Sequence, residues 1–250
     1  MKPLEMFVWF SIIGSLIIGI KHRVLVKTNI NKLYPYFIMG IMLILGVSVS
    51  YTGMGTTLED NSWAILKNSV ELIRNSIFAL IGLILFLLSN DELKPLQSWE
   101  DGFKFLEEVP VNYILKIIFG FTTYSFLVFY FLKPEYIGSK ESDFYHFIGM
   151  AVLSMLAALN EELLFRMYVI GLIVYFLKKY RAKWWVAIVL SSALWAYVHM
   201  PLANLGWVKF IQVFPLGIAL GYTLKRFGFE TCVFLHIVFN LVIIVSFQVL

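Results

Sequence analysis

Two adjacent acids and a base one helical turn further on, in Asn160-Glu161-Glu162-Leu163-Leu164-Phe165-Arg166, interrupt an otherwise apolar run over 144–177. At the centre of a bilayer a Lys, Arg or Asp costs roughly 2.5 to 3.5 kcal/mol, so three unpaired charges would cost on the order of 7 to 10 kcal/mol. Part of that is offset by spacing. Glu162 and Arg166 are four apart with the acid first, which brings them together on one helix face. Glu161 has no basic residue three or four positions away, and its i+4 neighbour is Phe165. A carboxylate without a local partner in apolar surroundings is fit to take up a proton from water near neutrality. The competing reading is a polar helix end at the membrane surface, and the rest of the chain must decide between the two.

Two histidines and an asparagine extend the constellation. His199 closes Trp195-Ala196-Tyr197-Val198-His199 and is followed by Met200-Pro201, which is expected to break the helix and expose backbone at depth, as happens where a cavity is lined. His236 and Asn240 stand one turn apart on one helix face. Each alone is equally a satisfied hydrogen bond within a bundle. Together with Glu161 they suit amide hydrolysis, with Glu161 taking a proton from water and His199 orienting that water or passing the proton on. His236, as an N–H donor, and Asn240 would hold the oxyanion. A nucleophile is a weaker option, because Ser191 and Ser192 are two turns or more from His199. Cys232 is read as a small core residue. Glu161, His199 and His236 could instead hold zinc and use its bound water, and spacing does not separate the two chemistries.

The elements that must position these residues are membrane spans. The chain has 250 residues, 60% hydrophobic and 14% charged, with mean hydropathy +0.82. A soluble domain carries about a quarter charged residues. Apolar segments fall near 5–20, 34–52, 72–88, 112–132, 144–177, 184–199, 207–224 and 230–249. The expected fold is an all-α polytopic membrane protein of about eight transmembrane helices in one bundle. It divides into an N-terminal part over 1–143 and a core over 144–250 that carries the chemistry. The longest polar connection, 89–111, is expected to hold an interfacial helix at 99–106. His22 and His146 are given little functional weight.

The net charge of +4 would suggest nucleic acid in a soluble chain. Here the basic residues cluster in loops at 21–32, 178–183 and 225–226, so they report orientation and no nucleic-acid partner is expected. With both termini outside, those loops face inward, and Lys209 counts among the few outside-loop cations. Counting along straight helices from the inward ends sets His236 about 9 Å shallower than Glu161 and His199. That mismatch must close if the three share a site.

Glu161-Glu162-x-x-x-Arg166, His199 and His236-x-x-x-Asn240 together resemble the three motifs of the CPBP family. These are the CAAX-processing and bacteriocin-processing intramembrane proteases, related to the type II CAAX prenyl endopeptidase. The resemblance covers roughly 144–245, with Trp195 where the family's second motif usually has Phe, a change expected to preserve packing beside the site. It implies an intramembrane endopeptidase, either metal-dependent or of the glutamate type. Glu161, His199, His236 and Asn240 would form its active site, supported by Glu162, Arg166 and Trp195. It further implies peptide or membrane-protein substrates, a role in bacteriocin or signal-peptide maturation or self-immunity, and a multi-pass place in a bacterial plasma membrane in contact with lipid. A non-proteolytic scaffold or immunity protein, or a proton-coupled transporter, would keep the same buried ionisable residues.

Overall fold

The structure is a computed structural model and describes residues 72–85, 109–132 and 144–249, together with residues 70 and 89. The two spans expected near 5–20 and 34–52, the interfacial helix at 99–106, His22 and the side chain of His146 lie outside the described residues. What is described is helical, without strands. In chain order the elements are α1 (Leu72–Leu85), α2 (Val111–Leu132), α3 (Phe144–Glu161), a π-helical segment (Glu162–Val169), α4 (Ile170–Phe176), α5 (Lys183–His199), a 3₁₀ turn (Met200–Leu202), α6 (Gly206–Phe227) and α7 (Phe229–Val249). Among the described residues α2, α5 with its 3₁₀ turn, α6 and α7 are long and apolar enough to cross a membrane, and α1 is a shorter apolar helix.

Helix ends fall where the local chemistry puts them. Helix α5 stops at His199 because Pro201, lacking an N–H, cannot continue the i→i−4 ladder, and a 3₁₀ turn follows. Between α6 and α7 the reversal is a single residue, Gly228, at φ 101°. That backbone region is open to glycine and strained for residues with a Cβ. The Gly228 amide still bonds to the Leu224 carbonyl at 3.1 Å, so α7 begins without a connecting loop.

The run over 144–177 is not one regular helix. It is α3, eight residues of π-helix and α4 in sequence. The i→i+5 pattern appears in the Ile170 amide bonding to the Phe165 carbonyl. That carbonyl also accepts the Ser191 hydroxyl of α5 at 2.7 Å. Wide turns of this kind recur at functional sites, and this one begins directly after Glu161.

Close approaches fix the packing around it. Gly82 of α1 lies against the π segment, where an added Cβ would collide with the Met167 carbonyl. Phe78 stacks on Tyr168 at 5.0 Å, and the Asn75 side-chain amide donates to Asn160 at 3.2 Å. On the other side Gly217 of α6 meets α5, an added Cβ there standing 2.9 Å from both Ser192 and the Trp195 ring. Within α6, Pro215 removes the N–H that would have bonded to the Ile211 carbonyl. The Tyr124 hydroxyl of α2 takes that place at 2.9 Å, so no backbone acceptor is stranded where lipid offers no donor.

Candidate active site

The two acids of the opening motif receive opposite environments. Glu162 is sealed, with none of its surface exposed. Its Oε2 lies 3.3 Å from Arg166 Nε and 2.9 Å from Cys232 Sγ, and its Oε1 lies 2.8 Å from His236 Nδ1. Cys232 is buried, as expected, yet it is more than inert filling. Its sulfur touches Glu162 and also the Leu220 carbonyl at 3.2 Å, and its single proton serves one of them at a time. Arg166, also fully buried, sets its guanidinium 4.5 Å from the centroid of the Trp195 ring. Its Nη1 and Nη2 have no hydrogen-bond partner among the described residues. Attraction to the ring and to Glu162 is what holds the cation there.

Glu161 keeps 24% of its side chain exposed and opens into a cavity of about 120 Å³. Water can reach this carboxylate and cannot reach its neighbour. Its Oε2 accepts from Trp195 Nε1 at 2.7 Å. Its Oε1 lies 3.5 Å from His199 Nε2, and Oε2 lies 3.9 Å from His236 Nε2. The expected 9 Å depth mismatch is therefore absent, and two features remove it. The tight turn at Gly228 starts α7 within the bundle, level with the last turn of α6. The π segment also packs more residues per turn, which shortens the rise between α4 and Glu161.

Hydrogen bonding sets both rings the same way. His199 Nδ1 is 2.8 Å from the Trp195 carbonyl, which can only accept, so Nδ1 carries a proton. His236 Nδ1 points at a carboxylate oxygen of Glu162, and the same argument applies. Each neutral ring therefore turns an Nε2 lone pair toward Glu161. Three acceptors facing one another across 3.5 and 3.9 Å require a shared proton or an intervening water. With its Nδ1 turned to Glu162, His236 can serve as an N–H donor toward the cavity only when Nε2 also carries a proton.

Trp195 is the hub of the site. Its ring meets His199 edge-on at 5.0 Å and His236 at 5.3 Å, with Arg166 over its face. The indole N–H gives Glu161 a hydrogen bond that a Phe could not, so this position does more than fill space. Asn240 also lines the cavity, its amide donating to the Ser154 carbonyl at 3.4 Å. Ser191 and Ser192 do not join the site. Both are buried and bond to backbone carbonyls, Ser191 to Phe165 and Ser192 to Ile188.

Sequence reasoning missed polar residues of the cavity, among them Ser125, Lys209 and Gln212. Lys209, read as an outside-loop cation, belongs to the first turn of α6 and lines the cavity beside Glu161 and His199. Gln212 lines it too and accepts from Lys209 Nζ at 3.1 Å. Their i,i+3 spacing at the start of an apolar run was the available signal.

A zinc ion would find a suitable donor set in Glu161, His199 and His236, with both Nδ1 atoms held in the manner of outer-shell contacts. Among the described residues no His, Cys, Asp or Glu cluster is arranged as a formed metal site, and Glu161 Oε2 already accepts from Trp195; the separations of 3.5 and 3.9 Å are nonetheless within reach of one ion with bonds of about 2 Å.

Fold and site define a class, that of multi-helix integral membrane proteins which keep a carboxylate, two imidazoles and a carboxamide around one internal cavity. Residues 143–242 match the family model described as type II CAAX prenyl endopeptidase Rce1-like. The match covers less than half of the chain and includes every motif residue named above. That description is of a prenyl endopeptidase. The chain is also similar to the sporulation-killing factor biosynthesis protein SkfC of Bacillus subtilis (strain 168), 27% identical over 99 residues. That similarity spans 37% of this chain and only 18% of the relative. No solved structure matches the chain.

Proposed function

We propose that this protein is an intramembrane endopeptidase in which Glu161 activates water against a peptide bond. One observation carries the reading: of two adjacent acids, the one open to the cavity faces the Nε2 atoms of two imidazoles, and the sealed one fixes an imidazole from behind. Water held between Glu161 and His199 gives a proton to the carboxylate as its oxygen attacks the amide carbon. The bond to the leaving nitrogen then breaks, and the proton passes to the departing amine from Glu161 or through an imidazole. Asn240 contributes N–H donors to the oxyanion, and His236 does so when it carries a second proton. The chain Arg166, Glu162, His236 orients one ring, and the Trp195 carbonyl orients the other.

The substrates are membrane-associated peptides or proteins. The relative's name ties that protein to the biosynthesis of a sporulation-killing factor, and by that likeness the finer proposal is maturation of a secreted peptide. The test uses purified protein in lipid nanodiscs with a leader-bearing peptide. Glu161→Gln is expected to reduce cleavage by at least a thousandfold while the melting temperature holds, and His199→Ala to do nearly the same. Undiminished cleavage by Glu161→Gln would exclude Glu161 as the base. A wild-type protein that binds the peptide without cutting it would favour a non-proteolytic immunity or scaffold role.

A further inference from the structure

Helix α2 lies ahead of the segment that matches the family model and packs against α6 and α7. Two of its 22 residues are buried, Ser125 and Val128. Ser125 lines the cavity together with Glu161, His199 and Asn240, and its neighbour Tyr124 ties α2 to the Ile211 carbonyl of α6. The ordinary use of a serine in a membrane helix is close packing, with its proton returned to a carbonyl of its own helix. Ser192 and Thr223 behave in that way, bonding to the Ile188 and Ala219 carbonyls. Among the described residues the Ser125 hydroxyl has no hydrogen-bond partner, whereas each of the other polar side chains lining the cavity has one. The Thr122 hydroxyl, one turn earlier, is also unpaired but sealed. A ligand in the cavity can reach Ser125 and cannot reach Thr122.

We propose that Ser125 binds the substrate backbone, its hydroxyl donating to a peptide carbonyl at or beside the scissile bond. The inference rests on the reading that a peptide enters this cavity, and it adds a contact from a helix outside the matched segment. A peptide moved from water to a site walled in part by Val213, Leu216 and Phe239 gives up its hydrogen bonds to water, and each carbonyl left unpaired there weakens binding. Glu161 and the Nε2 atoms of neutral His199 and His236 offer lone pairs, which a carbonyl oxygen cannot use. Ser125 keeps its proton available and brings no charge beside Glu161. The cavity of about 120 Å³ holds little more than one residue, so the carbonyl belongs to the scissile bond or to its immediate neighbour.

The test is equilibrium binding, which needs no turnover. Full-length protein in nanodiscs is titrated with a fluorescent apolar hexapeptide whose amides are N-methylated against cleavage, so that its carbonyls still accept and its backbone nitrogens no longer donate. A second set replaces each amide in turn with a trans-alkene, which keeps the shape and removes the carbonyl. Ser125→Ala is expected to weaken binding of the parent peptide by about three- to tenfold, the range of one uncharged hydrogen bond, and Ser125→Cys by less. The melting temperature of the free Ser125→Ala protein should hold or rise, because the hydroxyl has no partner to lose, whereas a serine needed for folding would lower it. One alkene should cost the wild type the same factor and cost Ser125→Ala nothing, which identifies the carbonyl. Thr122→Val is expected to bind like the wild type. Undiminished binding by Ser125→Ala, an equal loss in Thr122→Val, or alkene effects that persist at every position in Ser125→Ala would overturn the contact. Absence of cleavage in the leader-peptide assay would sink the peptidase reading and leave this result standing.

Discussion

Glu161 and Glu162 carry the same side chain, and only their surroundings divide the work. A sealed carboxylate that bonds to a ring Nδ1 and is ion-paired with a buried guanidinium has no route to water, so its effect is exerted through His236. Removing it strands Arg166, and breaking a buried pair from one side costs about 3 to 5 kcal/mol, whereas replacing both members with apolar groups of similar size is close to neutral. Glu162→Ala should therefore be strongly destabilising in denaturant titrations, and the double substitution Glu162→Leu with Arg166→Met should recover most of the loss. Neither variant should cleave, because His236 would be free to rotate. Trp195→Phe separates the two contributions of the hub: it preserves an aromatic ring beside the imidazoles and deletes the donor to Glu161. Misaligning a reacting group in this way should lower kcat by about tenfold or more with little change in melting temperature.

Elements position the site through two glycines, a proline and a stretch of π-helix. Gly217→Ala puts a methyl group 2.9 Å from the Trp195 ring, so the indole must shift. Activity is expected to fall further than the modest stability cost of overpacking, about 1 to 3 kcal/mol, would suggest. The Tyr124 hydroxyl stands in for the amide that Pro215 lacks. Tyr124→Phe leaves the Ile211 carbonyl unpaired at a cost of roughly 1 to 3 kcal/mol. Adding Pro215→Ala restores a backbone donor, so the double variant should be more stable than Tyr124→Phe alone when thermal unfolding is compared. Failure of that rescue would show that the tyrosine acts by packing.

On the scale of the whole molecule, the segment that matches the Rce1-like model is buttressed from outside itself. Helix α1 precedes residues 143–242, yet Asn75, Phe78 and Gly82 all touch the motif helix or its π segment. Gly82→Leu should force α1 away and lower both melting temperature and cleavage. A fragment covering 143–250 should express poorly or cleave far more slowly than the full chain. A fully active fragment would show that α1 only accompanies the core.

The sequence by itself determined that this is a membrane protein, where the described helices begin and end to within a few residues, and which ionisable side chains had no reason to sit in lipid unless they met. Those are one-dimensional properties, since the cost of burying charge and the loss of an N–H at proline do not depend on what lies across the bundle. Tertiary structure alone decided which acid opens to the cavity, which ring nitrogen faces it, that the indole of Trp195 donates to Glu161, and that Lys209 turns inward. Each is a contact between helices distant in sequence, and helical spacing within one segment carries no information about them. The depth of His236 shows the difference most clearly, because it depended on a π segment and a one-residue turn, and residue counting along straight helices misjudged it by several ångströms.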